Sequence, residues 1–232
     1  ITRNTILYNL LNLVTSQLLA VVIAIFITEI RAKYFKKVTQ TVILLPYFIS
    51  WVVVGVFVFS IFNYETGLIN TMINAIGGEK VNFYMMPTAW PVIICAFNAW
   101  KWTGYNSVIY IAAVTGVDGE INEAAEIDGA GKIRIFFTIT IPQITSIIFF
   151  NLIMQIIQAL QNFTSAFVIT DGGPMKSTYV LGMKLYKEGF SYFKMGYASS
   201  ISWVVFTIIL VVSLVLFRSS SAWVYYEDQG DF

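Results

Sequence analysis

The sequence contains no histidine and a single cysteine, Cys95. Without histidine, the protein cannot form the catalytic triads, proton relays or metal sites that depend on an imidazole ring. Cys95 lies within an apolar run and has no second cysteine to pair with, which excludes an internal disulfide and a paired-cysteine metal site. These absences argue against most enzyme and metalloprotein chemistries.

Charge is also scarce. Only 12% of the 232 residues are charged, 14 basic and 13 acidic, whereas a soluble domain carries about 25%. Hydrophobic residues make up 57% of the chain, and they form runs long enough for helices that cross a bilayer, which need about 20 residues each. The composition predicts an all-α polytopic membrane protein. A net charge of +1 argues against a nucleic-acid partner.

The apolar runs predict a single transmembrane domain over residues 1–232. Each run is expected to be helical, because lipid offers no hydrogen-bond partner to an unpaired backbone. The predicted spans are 6–28, 38–62, 91–115, 141–169 and 199–217. The short connection after the first span carries Arg31, Lys33, Lys36 and Lys37, which favours the cytoplasmic side. The loop 116–140 then lies on that side as well.

The 116–140 loop predicts a short surface helix. Asp118 can cap a helix over about 119–128, and Gly129 stands where a left-handed residue would end it. Ala124 and Ala125 keep one side of this helix narrow, so that another protein's backbone could approach it closely. The residues by themselves equally allow a solvated connector between two spans.

Two motifs carry a family resemblance. Glu123-Ala124-Ala125, Gly129, Ile139 and Ile141-Pro142 resemble, in type and spacing, the EAA motif of ABC importer permeases, with Ile141 in place of the usual leucine. The segment 170–174, Thr-Asp-Gly-Gly-Pro, with the later 196–198, Gly-Tyr-Ala, is similar to the region before the last helix of maltose-type sugar permeases. The resemblance extends over essentially the whole chain.

The resemblance implies the type I permease fold of ABC importers, with a sixth span before Ile1, and a role in carrying a carbohydrate, an oligosaccharide above all, across the bacterial cell membrane. It implies a second permease subunit as partner in a heterodimer, two ATPase subunits that use ATP and Mg²⁺, and an extracellular or periplasmic solute-binding protein. The residues it assigns to coupling with the ATPase are Glu123, Ala124, Ala125, Asp128 and Gly129. Among them, Glu123 would contact the ATPase, the two alanines would pack in its cleft, and Gly129 would make the tight turn.

No catalytic, cofactor or metal site is expected in this chain. The stretch ending in Gly131-Lys132 departs from a phosphate-binding loop, because Glu126 and Ile133 stand where a glycine and a serine or threonine are needed. ATP hydrolysis is therefore expected in a separate subunit.

Polar side chains inside the spans form a second candidate site. Asn151, Gln155, Gln158 and Asn162 are spaced to share one helical face, as are Asn98, Trp102 and Tyr105, with Lys101 beside them. One interpretation is the wall of a solute pathway, and the other is hydrogen bonding between helices. Lys101 is expected to reach an acid, a carbonyl or water.

Two alternatives to a sugar importer remain at the level of the sequence. One is the same architecture importing another solute, such as a polyol phosphate. The other is a membrane-embedded enzyme or a stand-alone channel. No catalytic constellation supports an enzyme, and the EAA-like loop has no use in a lone channel.

Overall fold

The computed structural model describes residues 1–30, 32–117, 119–161 and 163–225, without the side chain of Asn122. All regular structure within these ranges is helical, in agreement with the predicted fold class. The helices are α1 (Thr2–Thr28), α2 (Lys33–Phe48), α3 (Trp51–Phe62), α4 (Leu68–Ala75), α5 (Ala89–Thr115), α6 (Gly119–Ile127), α7 (Lys132–Ile135), α8 (Ile141–Gln143), α9 (Thr145–Gln161), α10 (Thr164–Thr170), α11 (Leu181–Tyr186) and α12 (Met195–Ser220).

Within the described ranges, two helices are individually long and apolar enough to cross a bilayer. They are α1, with a mean hydropathy of 2.4 over its best 18 residues, and α12, with 2.6. The helices α2 and α3 reach the same standard as a pair bent by 93°, and the helices between Lys132 and Gln161 do so with a bend of 64°. The ranges 38–62 and 141–169, which the sequence predicts as continuous spans, therefore contain breaks.

The break between α2 and α3 has a local cause. Pro46 lies inside the last turn of α2 and has no backbone N–H to donate, which weakens the helix close to this end. The chain turns extended at Ile49 and Ser50, and the Ser50 hydroxyl accepts a hydrogen bond of 3.3 Å from the Val53 amide. Ser50 thus caps a new helix, α3, that sets off in another direction.

The helix α5 forms the centre of the molecule. It packs against α1, α2, α9 and α10, and 12 of its 27 residues are buried. Trp90 and Tyr110 near its two ends are fully buried. The predicted range 91–115 lies within α5, which is not among the helices apolar enough to count as a span by hydropathy. Protein neighbours on several sides explain why α5 can carry polar residues that lipid would not accept.

Two apolar cores lie along α1 and α5. One joins Tyr8 and Trp90 to Val54, Val58 and residues from 166 onward. The other joins Ala20, Ala24 and Ile27 to Tyr110 and Ile111. The stretch of α1 between these cores, around positions 9–16, faces neither of them, and it is here that the interior is polar and open.

The outer surface is apolar. None of the residues of α2 is buried, and α12 buries only three. Large side chains such as Phe26, Phe48, Trp203 and Phe217 are more than half exposed. An apolar surface of this extent is expected where lipid or another membrane subunit covers the protein.

Candidate functional site

Three helices, α1, α5 and α9, enclose a cavity of about 190 Å³. Ser165 and Ala166 of α10 contribute to its wall, as do Thr178 and Val180 from the segment that follows α10. The lining is mixed, with aliphatic and aromatic groups around side-chain amides. Such a combination is typical of a small-molecule site, in which a few polar groups orient the ligand.

Six residues that the sequence singles out line this one cavity: Asn98, Trp102, Tyr105, Asn151, Gln155 and Gln158. The first three come from α5 and the other three from α9. Helical spacing places each trio on one face, and the packing of α5 near α9 turns both faces inward. Asn162 lies outside the described residues. Lys101 does not line the cavity and reaches instead the break between α2 and α3.

Two of the amides hold helices together. Asn98 donates to the Ser165 hydroxyl on α10 at 3.3 Å, and Asn151 donates to the Tyr110 hydroxyl at 2.9 Å. The Tyr110 hydroxyl in turn donates to Gln17 on α1. These bonds fit the interhelical interpretation, because each joins two different helices at a buried position.

Other amide atoms at the cavity have no partner. The Gln155 Nε2 donor and the Asn12 Oδ1 acceptor are buried without a hydrogen bond. An unpaired buried polar atom costs about 1–3 kcal/mol. One donor and one acceptor that are open at the same cavity suit a hydroxylated ligand, since a hydroxyl group can both give and accept a hydrogen bond. The interhelical interpretation therefore describes Asn98 and Asn151, and the pathway interpretation stays a prediction for Gln155 and Gln158.

Sequence reasoning missed the wall contributed by α1. Asn9, Asn12 and Ser16 line the cavity, and their spacings of three and four residues place them on one helical face. This periodicity was visible in the sequence, although the long apolar run around it hid the signal. Thr178 lies far along the chain and could not have been assigned to the site by any periodicity.

The described residues that line the cavity include no aspartate, glutamate, lysine or arginine. Burial of an ionised ligand group without a counter-charge is strongly unfavourable. Neutral amides and hydroxyls, by contrast, replace the hydrogen bonds that a hydroxylated solute makes to water. The electrostatics of the cavity thus favour an uncharged ligand.

Part of the cavity wall comes from a segment that hydrogen bonds hold against the start of α1. Asn4 donates to the carbonyl groups of Lys176 and Ser177 at 3.0 and 2.9 Å, and the Tyr8 hydroxyl donates to the Ser177 carbonyl at 2.9 Å. The Thr5 hydroxyl accepts from the Leu181 amide at 3.0 Å. These contacts hold residues 176–181 against α1 and so fix Thr178 and Val180 at the cavity.

The loop between α5 and the helices that follow it carries the second candidate site. The predicted helix is present as α6 (Gly119–Ile127), and Gly129 has the left-handed conformation that the sequence predicts, with φ of +81°. The Ala130 amide donates to the Ala125 carbonyl, and the Gly129 amide donates to the Glu126 carbonyl, both at 3.0 Å. This pair of bonds is the Schellman termination of a helix. Asp118, predicted as the N-cap, lies outside the described residues.

The end of α6 projects from the molecule. Glu123, Ala124 and Gly129 are exposed, and Ala125 is only partly buried. Ile127 is 86% exposed and Ile133, just beyond the turn, is 77% exposed. Lys132 forms an ion pair with Glu29 at the end of α1, which ties the loop to the helices that line the cavity. A projecting helix end with exposed isoleucine side chains is suited to contact with another protein rather than with a small molecule.

Comparison with known proteins shows the family. Residues 18–225 match the family described as binding-protein-dependent transport system inner membrane component. The chain is 38% identical over 170 residues to the probable ABC transporter permease protein YesP of Bacillus subtilis (strain 168). The aligned region covers 71% of this chain and 54% of YesP. The chain is 30% identical over 223 residues to the lactose transport system permease protein LacF of Rhizobium radiobacter, covering 94% and 74%. The chain thus spans from about half to three quarters of the length of these relatives.

Solved structures agree. The chain superposes with a TM-score of 0.89 and 26% identity on a bacterial ABC transporter involved in the import of the acidic polysaccharide alginate, over 95% of this chain and 77% of that one. A second structure of such an alginate transporter, in complex with an alginate pentasaccharide-bound periplasmic protein, matches with a TM-score of 0.83 and 25% identity. The fold is that of an ABC importer permease, with bent and broken helices around a central one.

Proposed function

The chain belongs to the family of inner membrane components of binding-protein-dependent transport systems, and from this premise we propose that it forms one wall of the pathway by which a bacterial importer moves a neutral sugar. The observation that carries the proposal is the uncharged cavity between α1, α5 and α9, with its open donor on Gln155 and open acceptor on Asn12. LacF, which is 30% identical to this chain over 223 residues, is named as a lactose transport system permease protein.

The lining of the cavity separates this proposal from the import of a polyol phosphate, the alternative solute at the level of the sequence. A phosphate carries one to two negative charges at neutral pH and needs a cation or several backbone amides to leave water. The described lining residues offer no such cation, and the nearby Lys101 is engaged elsewhere. A hydroxylated, uncharged solute fits the same groups without that cost.

The test is uptake by the assembled importer in proteoliposomes with its solute-binding protein. The variants Gln155→Ala and Asn12→Ala each remove one open hydrogen-bonding group. We expect each to lower sugar uptake several-fold. A loss of 1.4 kcal/mol of interaction free energy with the sugar would correspond to about tenfold. Gln161→Ala is the matched control, because Gln161 is an exposed amide on the same helix. Equal uptake by wild type, Gln155→Ala and Asn12→Ala would exclude the cavity as the pathway.

The projecting helix α6 supports the rest of the proposal. We infer that α6 docks on a separate ATPase subunit, which binds ATP and Mg²⁺, and that two such ATPases, a second permease and a solute-binding protein complete the importer. In this arrangement ATP binding favours one of two conformations of the permease pair, and the ends of the cavity open alternately. The connection of α6 to α1 through Lys132 and Glu29 gives the coupling a path to the cavity.

Charge reversal tests the docking. Glu123→Lys is expected to abolish co-purification of the ATPase and sugar-stimulated ATP hydrolysis. The reason is that it reverses the charge of a side chain that lies, on this proposal, in the contact with the ATPase. Glu126→Lys is the matched control, since Glu126 is an equally exposed carboxylate on the same helix but lies outside the EAA spacing. Retention of the ATPase by Glu123→Lys would contradict the assignment of α6.

The arrangement in the membrane follows from this assignment. We propose that the five ranges predicted as spans cross a bacterial cell membrane, the second and fourth of them as broken helices, and that α6 faces the cytoplasm. The segment 176–181, at the opposite end of α1, then faces the outside, where solute would be delivered.

A further inference from the structure

Lys101 is a buried cation in the centre of α5. Lys101 is only 5% exposed. Its Nζ donates to the carbonyl oxygens of Pro46 at 3.2 Å, Tyr47 at 2.8 Å and Ile49. These three carbonyls lie at the end of α2 and in the break that precedes α3. Nζ also lies 5.7 Å from the centroid of the Trp51 ring at the start of α3, within the range of a cation–π contact.

The number and type of donors match the acceptors. A lysine ammonium has three N–H donors and no acceptor, and here three carbonyl oxygens surround it. The last carbonyls of a helix lack the partners of the helix interior and carry the negative end of its dipole. Of the three, the Pro46 carbonyl also accepts a hydrogen bond of 3.2 Å from the Ile49 amide. Hydrocarbon contains no water to donate hydrogen bonds to these carbonyls. A cation fixed at this point supplies those hydrogen bonds instead. The ion pairs among the described residues do not include Lys101.

A glycine three residues further along α5 brings the two helices together. A Cβ added at Gly104 would lie 1.9 Å from the Ile43 carbonyl oxygen, a distance that real atoms do not reach. Only glycine permits this approach of α5 to α2. The backbone of α2 is therefore held directly against α5 on one side of the break, and Lys101 reaches across to the break itself.

The break is connected to the cavity through α3 and α10. Gly55 on α3 lies so close to Val168 on α10 that an added Cβ would be 2.8 Å from the valine Cγ1 atom. The helix α10 supplies Ser165 to the cavity wall, and Asn98, one turn before Lys101, holds Ser165 by a hydrogen bond. The direction in which α3 leaves the break thus determines where α10 can lie.

From this geometry we propose that Lys101 is a tethered cation that fixes the bend between α2 and α3 and thereby positions the α10 wall of the cavity. Its ammonium occupies a cluster of helix-end carbonyls of the kind that binds a cation in other transporters with broken helices. Lys101 is a positioning residue on this account, and it does not touch the solute.

The direct test measures the bend in the assembled importer. Spin labels are attached at Val38→Cys on α2 and Phe57→Cys on α3, both exposed positions, in a Cys95→Ala background, and the distance between them is measured by pulsed electron paramagnetic resonance. We expect a single narrow distance with Lys101 and a broadened, shifted distribution in Lys101→Met. Lys101→Arg, which keeps the charge and several donors, is expected to restore the narrow distribution.

Controls separate the bend from general damage. Lys80→Met removes a lysine that lies in a loop, paired with Glu65 at 3.6 Å, and should leave the distribution unchanged. A label pair at Val204→Cys and Leu214→Cys within the continuous α12 should be insensitive to every Lys101 variant. If Lys101→Met does not assemble, Lys101→Gln replaces it, and partial broadening is expected because the amide has two donors and no charge.

Transport provides a second readout. Lys101→Met is expected to raise the number of ATP molecules hydrolysed per solute moved several-fold, while the solute affinity of the separate binding protein stays the same. A wild-type distance distribution in Lys101→Met, or in Lys101→Gln where that variant is used, would overturn the proposal. The distance measurement needs no transport activity, so that a failure of the proposed function would leave this result intact.

Discussion

Individual residues differ in how far their roles could be read from the sequence. Gly129 was predictable, because a glycine after a capped helical run indicates a left-handed terminus, and its φ is +81°. Lys101 was predictable only as a buried cation in need of a partner. Its partners are backbone carbonyls 52–55 residues away, and no side-chain pattern marks a carbonyl that a helix break has freed.

Gly129 gives the first prediction at this scale. Replacement by alanine forces a side chain into the left-handed region, which costs about 1–2 kcal/mol, although an added Cβ would meet no neighbouring atom. We expect Gly129→Ala to lower the affinity of the importer for its ATPase about tenfold, measured by titration of purified ATPase onto the membrane complex. Gly131→Ala is the control, because Gly131 has a φ of −70° and equally open surroundings. Equal affinities for the two variants would show that the turn does not shape the docking helix.

The sequence predicts which runs are helical better than it predicts where a helix is broken. The apolar runs indicate helices at all five ranges, and each range is occupied by them. Hydropathy cannot reveal that a run is broken by 93° at Ile49 and Ser50 or by 64° near Ile144, since the side chains around a break are as apolar as those of a straight helix. The break at Ile49 and Ser50 follows Pro46 and is held by Lys101 from another helix, and a contact between helices is a tertiary property.

The contact between α2 and α5 gives the prediction at the scale of elements. Gly104→Ala would bring a Cβ against the Ile43 carbonyl oxygen, a backbone atom that cannot move without α2. Overpacking of this kind costs about 1–3 kcal/mol. We expect a lower thermal unfolding temperature of the purified complex in detergent and a loss of uptake. Gly196→Ala at the start of α12, where an added Cβ meets open space, is the control. An unchanged unfolding temperature for Gly104→Ala would mean that α2 and α5 pack less closely than the structure shows.

The molecule as a whole separates its charges from its cavity. Most acidic and basic residues lie in the connections and in the loop 116–140, while the described residues around the cavity are amides, hydroxyls and apolar groups. Six of the lining residues, on α5 and α9, were singled out in the sequence, whereas the periodic polar residues of α1 were hidden in a long apolar run. Under the proposed function, this distribution implies that the pathway excludes charge and that ATP acts at a distance from the solute.

Installing a charge at the centre tests that separation. Gln155→Lys places an ammonium in a cavity whose described lining has no counter-charge, where its desolvation is costly. We expect uptake of a neutral oligosaccharide to fall at least about tenfold, an effect of 1.4 kcal/mol or more, at saturating loaded binding protein, with assembly of the ATPase unaffected. Gln161→Lys adds the same charge at an exposed position of the same helix and should retain uptake. If Gln155→Lys transported the neutral sugar as fast as Gln161→Lys, the solute would have to pass elsewhere. The uncharged lining of this cavity would then say nothing about the charge of the transported solute.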